Sequence, residues 1–193
     1  TDACKWLSKE FGFLMASQYF CRTKSESKTF EPKRFARYFE QPKLSLDAKD
    51  FLFTKRHLHP AVVRYCRLNS YKDWLQIPYY DIHGNFMGIQ SRYMGRDMAQ
   101  PRFRFPRGKG CHIYNMQVLK MLTPAEDLYI AEGCSDCWAL LSAGHKTMAI
   151  PSATLLDTEE LKNALVKANL VENRNTLHVY PDQDMAGESL YEK

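Results

Sequence analysis

The chain has 193 residues, 45% of them apolar and 25% charged, which allows a sizeable core and excludes disorder throughout. No apolar run reaches the ~20 residues that a membrane-spanning helix requires, and the charged start Thr1-Asp2-Ala3-Cys4-Lys5 is unlike a secretory signal. The net charge of +5 is unevenly divided: residues 1–120 carry 22 Lys+Arg against 10 Asp+Glu, whereas residues 121–193 carry 5 against 12. A basic part joined to an acidic part suits a polyanion bound beside a cation site, although lysines clustered on a solvated face would give the same count. Six cysteines (Cys4, Cys21, Cys66, Cys111, Cys134, Cys137) without a secretory signal read as free thiols in a reducing cytoplasm. The absence of an initiator Met suggests a chain cut from something longer.

In chain order, Ala3, Trp6, Leu7 and Phe11 have helical spacing before Gly12, which predicts a helix over 2–11 that closes a preceding module. Residues 16–48 are rich in Lys, Ser and Pro, with two helix-like pieces at most, and read as a linker or loosely packed arm. Two short helices follow in 47–72, one starting at Asp47 as N-cap and one with Pro60 at its first position. The period then changes. Within 74–94, Ile77 and Tyr79 and then the run 86–93 read as strands joined by the turn Asp81-Ile82-His83-Gly84-Asn85, a hairpin. Residues 95–110 form a basic, aromatic loop, 111–114 a short strand and 115–122 a short helix. From residue 127 strands and helices alternate: strand 127–131, helix 135–143, strand 146–150, helix 158–169 and strand 176–180, then the start of another helix. That rhythm implies a parallel sheet with right-handed crossovers.

Parallel α/β sheets place ligands at the carboxyl ends of their strands. Glu132 follows the 127–131 strand, with Asp136 one turn into the next helix. Asp182 and Asp184 follow the 176–180 strand. If those strands are neighbours, four carboxylates converge with no Lys or Arg from these segments, an arrangement that is costly unless a cation occupies it. Hard oxygen donors in a partly open site favour Mg²⁺, or Mn²⁺, over softer metals. Each aspartate alone could equally be a helix N-terminal acid. Residues 92–109 hold Arg92, Arg96, Arg102, Arg104, Arg107 and Lys109 against Asp97 alone, interleaved with Tyr93, Phe103 and Phe105. Arginine grips phosphate through a planar fork and aromatic rings stack on unpaired bases, so the loop suits single-stranded template or a nucleoside triphosphate. A solvated β-ribbon with inward-facing aromatics would carry the same alternation. Gly108-Lys109-Gly110 is not a Walker A loop, since no Ser or Thr follows the Lys. Cys134-x-x-Cys137 lacks a second pair for zinc, which leaves buried helix thiols. His178 reads as a core histidine of a central strand.

Glu132-Gly133-Cys134-Ser135-Asp136 before an apolar helix, with Asp182-Gln183-Asp184-Met185-Ala186-Gly187 after a strand, resembles a TOPRIM domain, the fold shared by bacterial primases, topoisomerases of types IA and II, and some nucleases. Ile77-Pro78-Tyr79-Tyr80-Asp81, Gly84-Asn85-Phe86-Met87-Gly88 and Ser91-Arg92 resemble the hairpin that precedes TOPRIM in bacterial replicative (DnaG-type) DNA primases and their phage and mobile-element relatives. Pro101-Arg102-Phe103, Gly108-Lys109-Gly110 and Ile113-Tyr114-Asn115 resemble the basic loop and strand that follow. The implied class is α/β, with an α+β N-terminal part: a mixed basic subdomain with a β-hairpin, then a C-terminally truncated, Rossmann-like TOPRIM sheet. Its divisions would be 1–15 (the tail of a zinc-module helix), 16–46 (arm), 47–122 (basic subdomain) and 123–193 (TOPRIM).

By that resemblance Glu132 is the acid near the reacting phosphate, Asp182 and Asp184 bind metal with it, and Asp136 supports them. Arg92, Arg102, Arg104, Arg107 and Lys109 would hold template or nucleotide phosphates. The activity implied is Mg²⁺- or Mn²⁺-dependent synthesis of short RNA primers from ribonucleoside triphosphates on single-stranded DNA. A replicative helicase would be a partner bound through other regions, and zinc would belong only to an upstream module. Two alternatives share these residues: a TOPRIM nuclease of a mobile element, and a non-catalytic nucleic-acid-binding module. A topoisomerase fits less well, because no tyrosine stands in a nucleophile context.

Overall fold

The computed structural model describes residues 30–105, 112–151 and 156–182. The predicted helix over 2–11 lies outside them, as do Arg107, Lys109 and Asp184. None of the described helices is long and apolar enough to cross a membrane.

Helix α1 (Pro32–Ala36) opens with its proline in the first turn and tightens into a 3₁₀ turn at Arg37–Phe39. Helix α2 (Leu46–Lys49) is capped by Ser45, whose hydroxyl accepts from the Ala48 N–H at 3.2 Å, so the start lies two residues before the predicted cap and Asp47 falls inside the first turn. It widens into a π-helical stretch, Asp50–Lys55, that buries Phe51 and Leu52. Helix α3 (Pro60–Tyr65) begins at Pro60 as predicted, and His59 Nδ1 accepts from the Ala61 N–H.

Four antiparallel strands follow in spatial order β1 (Asn69–Tyr71), β2 (Trp74–Tyr80), β3 (Phe86–Tyr93) and β4 (Phe103–Arg104). The β2–β3 hairpin is the predicted one. Its turn is held by the Asp81 carboxylate, which accepts from the His83 and Asn85 backbone N–H groups and from Asn85 Nδ2, each at 2.8 Å. Gly84 there adopts φ +82°, a conformation that disfavours side chains. Strands β1 and β4 were not predicted, and β4 lies in the stretch read as loop.

Register decides which way each residue faces, because paired residues share a face of the sheet. Leu75 pairs with Arg92, Ile77 with Gln90 and Tyr79 with Gly88 on one face; Trp74 pairs with Tyr93 and Pro78 with Ile89 on the other. Segment 30–45 lies against this second face. Phe39, 1% exposed, meets Phe86 at 5.3 Å between ring centres. Its end is tied to β1 by the Lys43 N–H on Asn69 Oδ1 and the Ser45 N–H on Ser70 Oγ. The stretch read as a loosely packed arm therefore contributes a buried side chain.

Tyr114 makes a single antiparallel bridge to Ala149, less than the strand predicted at 111–114, and the predicted helix at 115–122 is a 3₁₀ helix, Met116–Met121. Asn115 precedes it at φ +60°, with its side-chain amide donating to the Thr147 carbonyl at 2.7 Å. The α/β rhythm then appears as expected: β5 (Asp127–Glu132), α4 (Cys134–Ser142), β6 (Lys146–Ile150), α5 (Thr158–Lys167) and β7 (Thr176–Tyr180). All three strands are parallel, in the order β6-β5-β7. Among the described strands β7 is at an edge, so His178 is not on a central strand; it stacks on Tyr129 with ring centres 4.6 Å apart.

One core cluster joins the two sheets. Leu75, Ile77 and Tyr79 of β2 pack with Ala131, Cys134, Cys137 and Trp138, while a second cluster (Ile130, Met148, Ile150, Ala164) lies between the parallel sheet and α5. Trp138 is 1% exposed and donates its indole N–H to the Tyr114 hydroxyl at 3.0 Å. Burying side chains of this size is worth roughly 1.5–3 kcal/mol each. The shared core holds the Gln90–Arg92 face of β3 against the start of α4.

Candidate functional site

Glu132 is the last residue of β5, the middle strand of the parallel sheet, and is half-buried. At the next residue the chain reverses into α4 through Gly133, whose φ of +103° and ψ of 152° lie in a region open essentially to glycine. The Gly133 N–H donates to the Ile150 carbonyl at 3.1 Å, which fixes that reversal. Since β7 is the direct neighbour of β5, Asp182 emerges beside Glu132, and its backbone N–H donates to Glu132 Oε2 at 3.1 Å. Asp136, exposed in the first turn of α4, stands at the same end of the sheet. Of the four acids, Glu132 and Asp182 are brought together, Asp136 accompanies them, and Asp184 lies outside the described residues. No group of three or more His, Cys, Asp or Glu among the described residues is close enough to hold a metal. The donors that meet here are carboxylate oxygens, which match Mg²⁺ or Mn²⁺ in chemistry.

On the antiparallel sheet, Arg92 extends from β3 on the core-facing side, half-buried, between the rings of Phe51 (4.6 Å) and Phe103 (5.2 Å). Burial, with the charges of Arg102 and Arg56 added, pulls its guanidinium from 12.5 down to about 10. Its Nε is buried and has no hydrogen-bond partner among the described residues. Such a cation, fully charged at neutral pH, is set to receive an anion. Arg102 reaches the same ring, 5.5 Å from the centre of Phe103.

Arg104 goes elsewhere. It pairs with Ser91 on the opposite face of the sheet and lies 3.6 Å from the centre of the Trp74 ring. Alternation along β4 separates it from Arg92, and Trp74 engages it from below. Arg56, at the end of the π-helical stretch, was not among the predicted residues. It belongs to the Arg92 cluster by charge and lies 5.6 Å from the Phe51 ring. One feature could have found it: a Lys-Arg pair ending an apolar stretch.

Strands β2 and β3 meet the start of α4 through three side chains. The Tyr79 hydroxyl is 3.2 Å from Cys134 Sγ and 3.3 Å from Gln90 Oε1, and that sulfur is 3.5 Å from the same oxygen. Burial pushes the Cys134 thiol up to about 12 and raises Cys137 further. Both are free, protonated thiols in a core, as the sequence suggested, and are ill-suited to bind zinc or do redox chemistry.

No protein-family model matches the sequence, and no curated protein sequence does. Solved structures do. The RNA polymerase domain of Mycobacterium tuberculosis primase DnaG, in complex with double-stranded DNA, superposes with a TM-score of 0.63 at 15% identity over 81% of this chain and 64% of its own. The zinc-binding and RNA polymerase domains of the Aquifex aeolicus primase give 0.57 at 16% identity over 99% and 63%. A DnaG primase catalytic domain bound to single-stranded DNA gives 0.56 at 16% identity over 80% and 59%. The chain thus has the fold of DnaG primase catalytic cores and spans about three fifths of the length of these relatives.

Proposed function

We propose that this chain is the core of a primase-type nucleotidyltransferase, built on a TOPRIM sheet, that joins ribonucleotides into short RNA primers on single-stranded DNA. One observation carries the reading: the acids Glu132 and Asp182 meet at the carboxyl end of the parallel sheet, and the sheet joined to it carries Arg92, a half-buried guanidinium whose Nε has no partner among the described residues. Paired acids alone would suit many hydrolases. Acids on one sheet and a cation cluster on the sheet joined to it suit a substrate with negative charge along its length, held at one end and reacted at the other.

Glu132, Asp182 and Asp184 would hold Mg²⁺ or Mn²⁺, with Asp136 in support. Bound there, the ion would neutralise the triphosphate and make the attacking 3′-hydroxyl more acidic. Arg92, Arg102 and Arg56 grip phosphates of the template or incoming nucleotide, with Arg107 and Lys109 assigned the same duty. Phe103, 39% exposed, offers a face on which an unpaired base can stack. Arg104 grips template phosphate from the other side of the sheet. No protein nucleophile is needed, because phosphoryl transfer is carried by positioning and charge neutralisation. The fold shared with a primase domain bound to single-stranded DNA supports this choice of substrate. The helicase partner belongs to the same proposal.

The test is primer synthesis on single-stranded DNA with labelled ribonucleotides and Mg²⁺ or Mn²⁺, with Glu132→Gln beside the wild type. Short RNA products that vanish in the variant are expected. Intact DNA with no product overturns the polymerase reading, and Glu132-dependent cutting replaces it with a nuclease.

A further inference from the structure

Gln90 stands on β3 between the two ends of the candidate site. It shares the core-facing side of the strand with Arg92, two residues and about 7 Å away. At its other end it meets Cys134, the first residue of α4, two positions after Glu132. Its Oε1 is within reach of two donors, the Tyr79 hydroxyl at 3.3 Å and the Cys134 thiol at 3.5 Å. With the carboxamide oxygen held, the amide nitrogen must lie on the other side of Cδ with two N–H donors. That nitrogen makes no hydrogen bond among the described residues, yet it is not one of the sealed, unpartnered polar atoms as Arg92 Nε is. Gln90 itself is half-buried.

The choice of side chain is informative. An apolar residue there would leave the Tyr79 hydroxyl and the Cys134 thiol without their shared acceptor. A tethered carboxamide supplies neutral N–H donors on the strand face that carries Arg92, without adding a charge that would compete with it. Resting on the proposed function and extending it, we infer that Gln90 is a further substrate-contacting residue, whose amide nitrogen donates to a phosphate oxygen of the anion held by Arg92. That phosphate belongs either to the template strand or to the incoming nucleotide.

The discriminating variant is Gln90→Glu. It keeps an oxygen for Tyr79 and Cys134 but replaces the two donors with negative charge. Binding is read by anisotropy with a labelled 12-nucleotide single-stranded DNA and by calorimetry with GTP and Mg²⁺. Affinity falls about tenfold or more in the arm whose phosphate Gln90 meets, while the melting temperature stays near that of the wild type. Gln90→Asn, neutral and one methylene shorter, weakens the same arm and serves if the charged variant does not fold. Wild-type binding by Gln90→Glu in both arms, with binding lost in Arg92→Ala, overturns the inference and leaves the functional reading standing. Wild-type binding by Arg92→Ala in both arms overturns the functional reading, and this inference with it.

Discussion

A cation kept half-buried without a carboxylate should lower stability, and Arg92 allows the cost to be worked out. Replacing it by Met keeps an unbranched apolar stem as far as the position of Nε and removes the charge and the guanidinium contacts with Phe51 and Phe103. The fall of the guanidinium from 12.5 to about 10 corresponds to about 3 kcal/mol at 1.36 kcal/mol per tenfold. Solvent screening of a side chain only half-buried roughly halves that figure. Losing the contacts of the charge with two aromatic rings offsets about 0.5 kcal/mol each. The balance favours Met by about 0.5–1 kcal/mol, a rise in melting temperature of roughly 1–4 °C for a chain of this size. The sign with pH is definite. A base whose value is depressed in the folded state makes folding costlier below that value, and the cost disappears as pH rises from about 10 towards 12.5, so at pH 7 it is present in full. Urea or thermal melts in phosphate-free, low-salt buffer measure it. GTP should then stabilise the wild type by mass action and leave Arg92→Met unmoved. A variant less stable than the wild type by 1 kcal/mol or more would make Arg92 a structural cation and refute the reasoning.

Three further outcomes follow from the geometry. Gly133→Ala should cost about 1–3 kcal/mol, measured by urea melts, because the strain is in the backbone: the nearest atom to an added Cβ, Asp136 Oδ2, is an ordinary 3.8 Å away. Tyr114→Phe should cost about 1–3 kcal/mol in the same melts, since it leaves the buried Trp138 indole N–H without its acceptor. At Asp81 burial raises the carboxyl, but hydrogen bonds from Asn85 and His83 outweigh it and hold it below its usual 3.8. Its contribution is therefore present above about pH 4 and is lost as pH falls below that, so Asp81→Asn should flatten the acid limb of a stability profile and leave the limb above pH 5 unchanged.

Long elements with clear periodicity were legible. Strands β6 and β7 match the sequence reading, and β5, α4 and α5 differ from it by one or two residues at an end. The hairpin was legible because Asp81, Gly84 and Asn85 are turn chemistry. Strands β1 and β4 were not: they are three and two residues long, the basic–aromatic alternation around β4 fitted a phosphate-binding loop as well as a ribbon, and their pairing depends on partners across the sheet. Phe39 was hidden in a stretch whose Lys, Ser and Pro content dominates the composition. At the site, Glu132 and Asp182 could be paired in advance because a parallel sheet brings strand ends together. The different faces of Arg92 and Arg104 could not, because the register of β4 on β3 is set by three-dimensional pairing. The Tyr79–Gln90–Cys134 contact joins residues 11 to 55 positions apart, with no local signature.

The central claim is that the acids and the arginines serve one ligand. A double-mutant cycle tests it most directly: the affinity for GTP with Mn²⁺ is measured for the wild type, Glu132→Gln, Arg92→Ala and the combination. Both single substitutions should weaken binding, and the combined loss should fall short of their sum by 0.5 kcal/mol or more, in the range of residues coupled through a shared partner. A single substitution without effect, or losses that add to within about 0.3 kcal/mol, would mean that the two ends act separately.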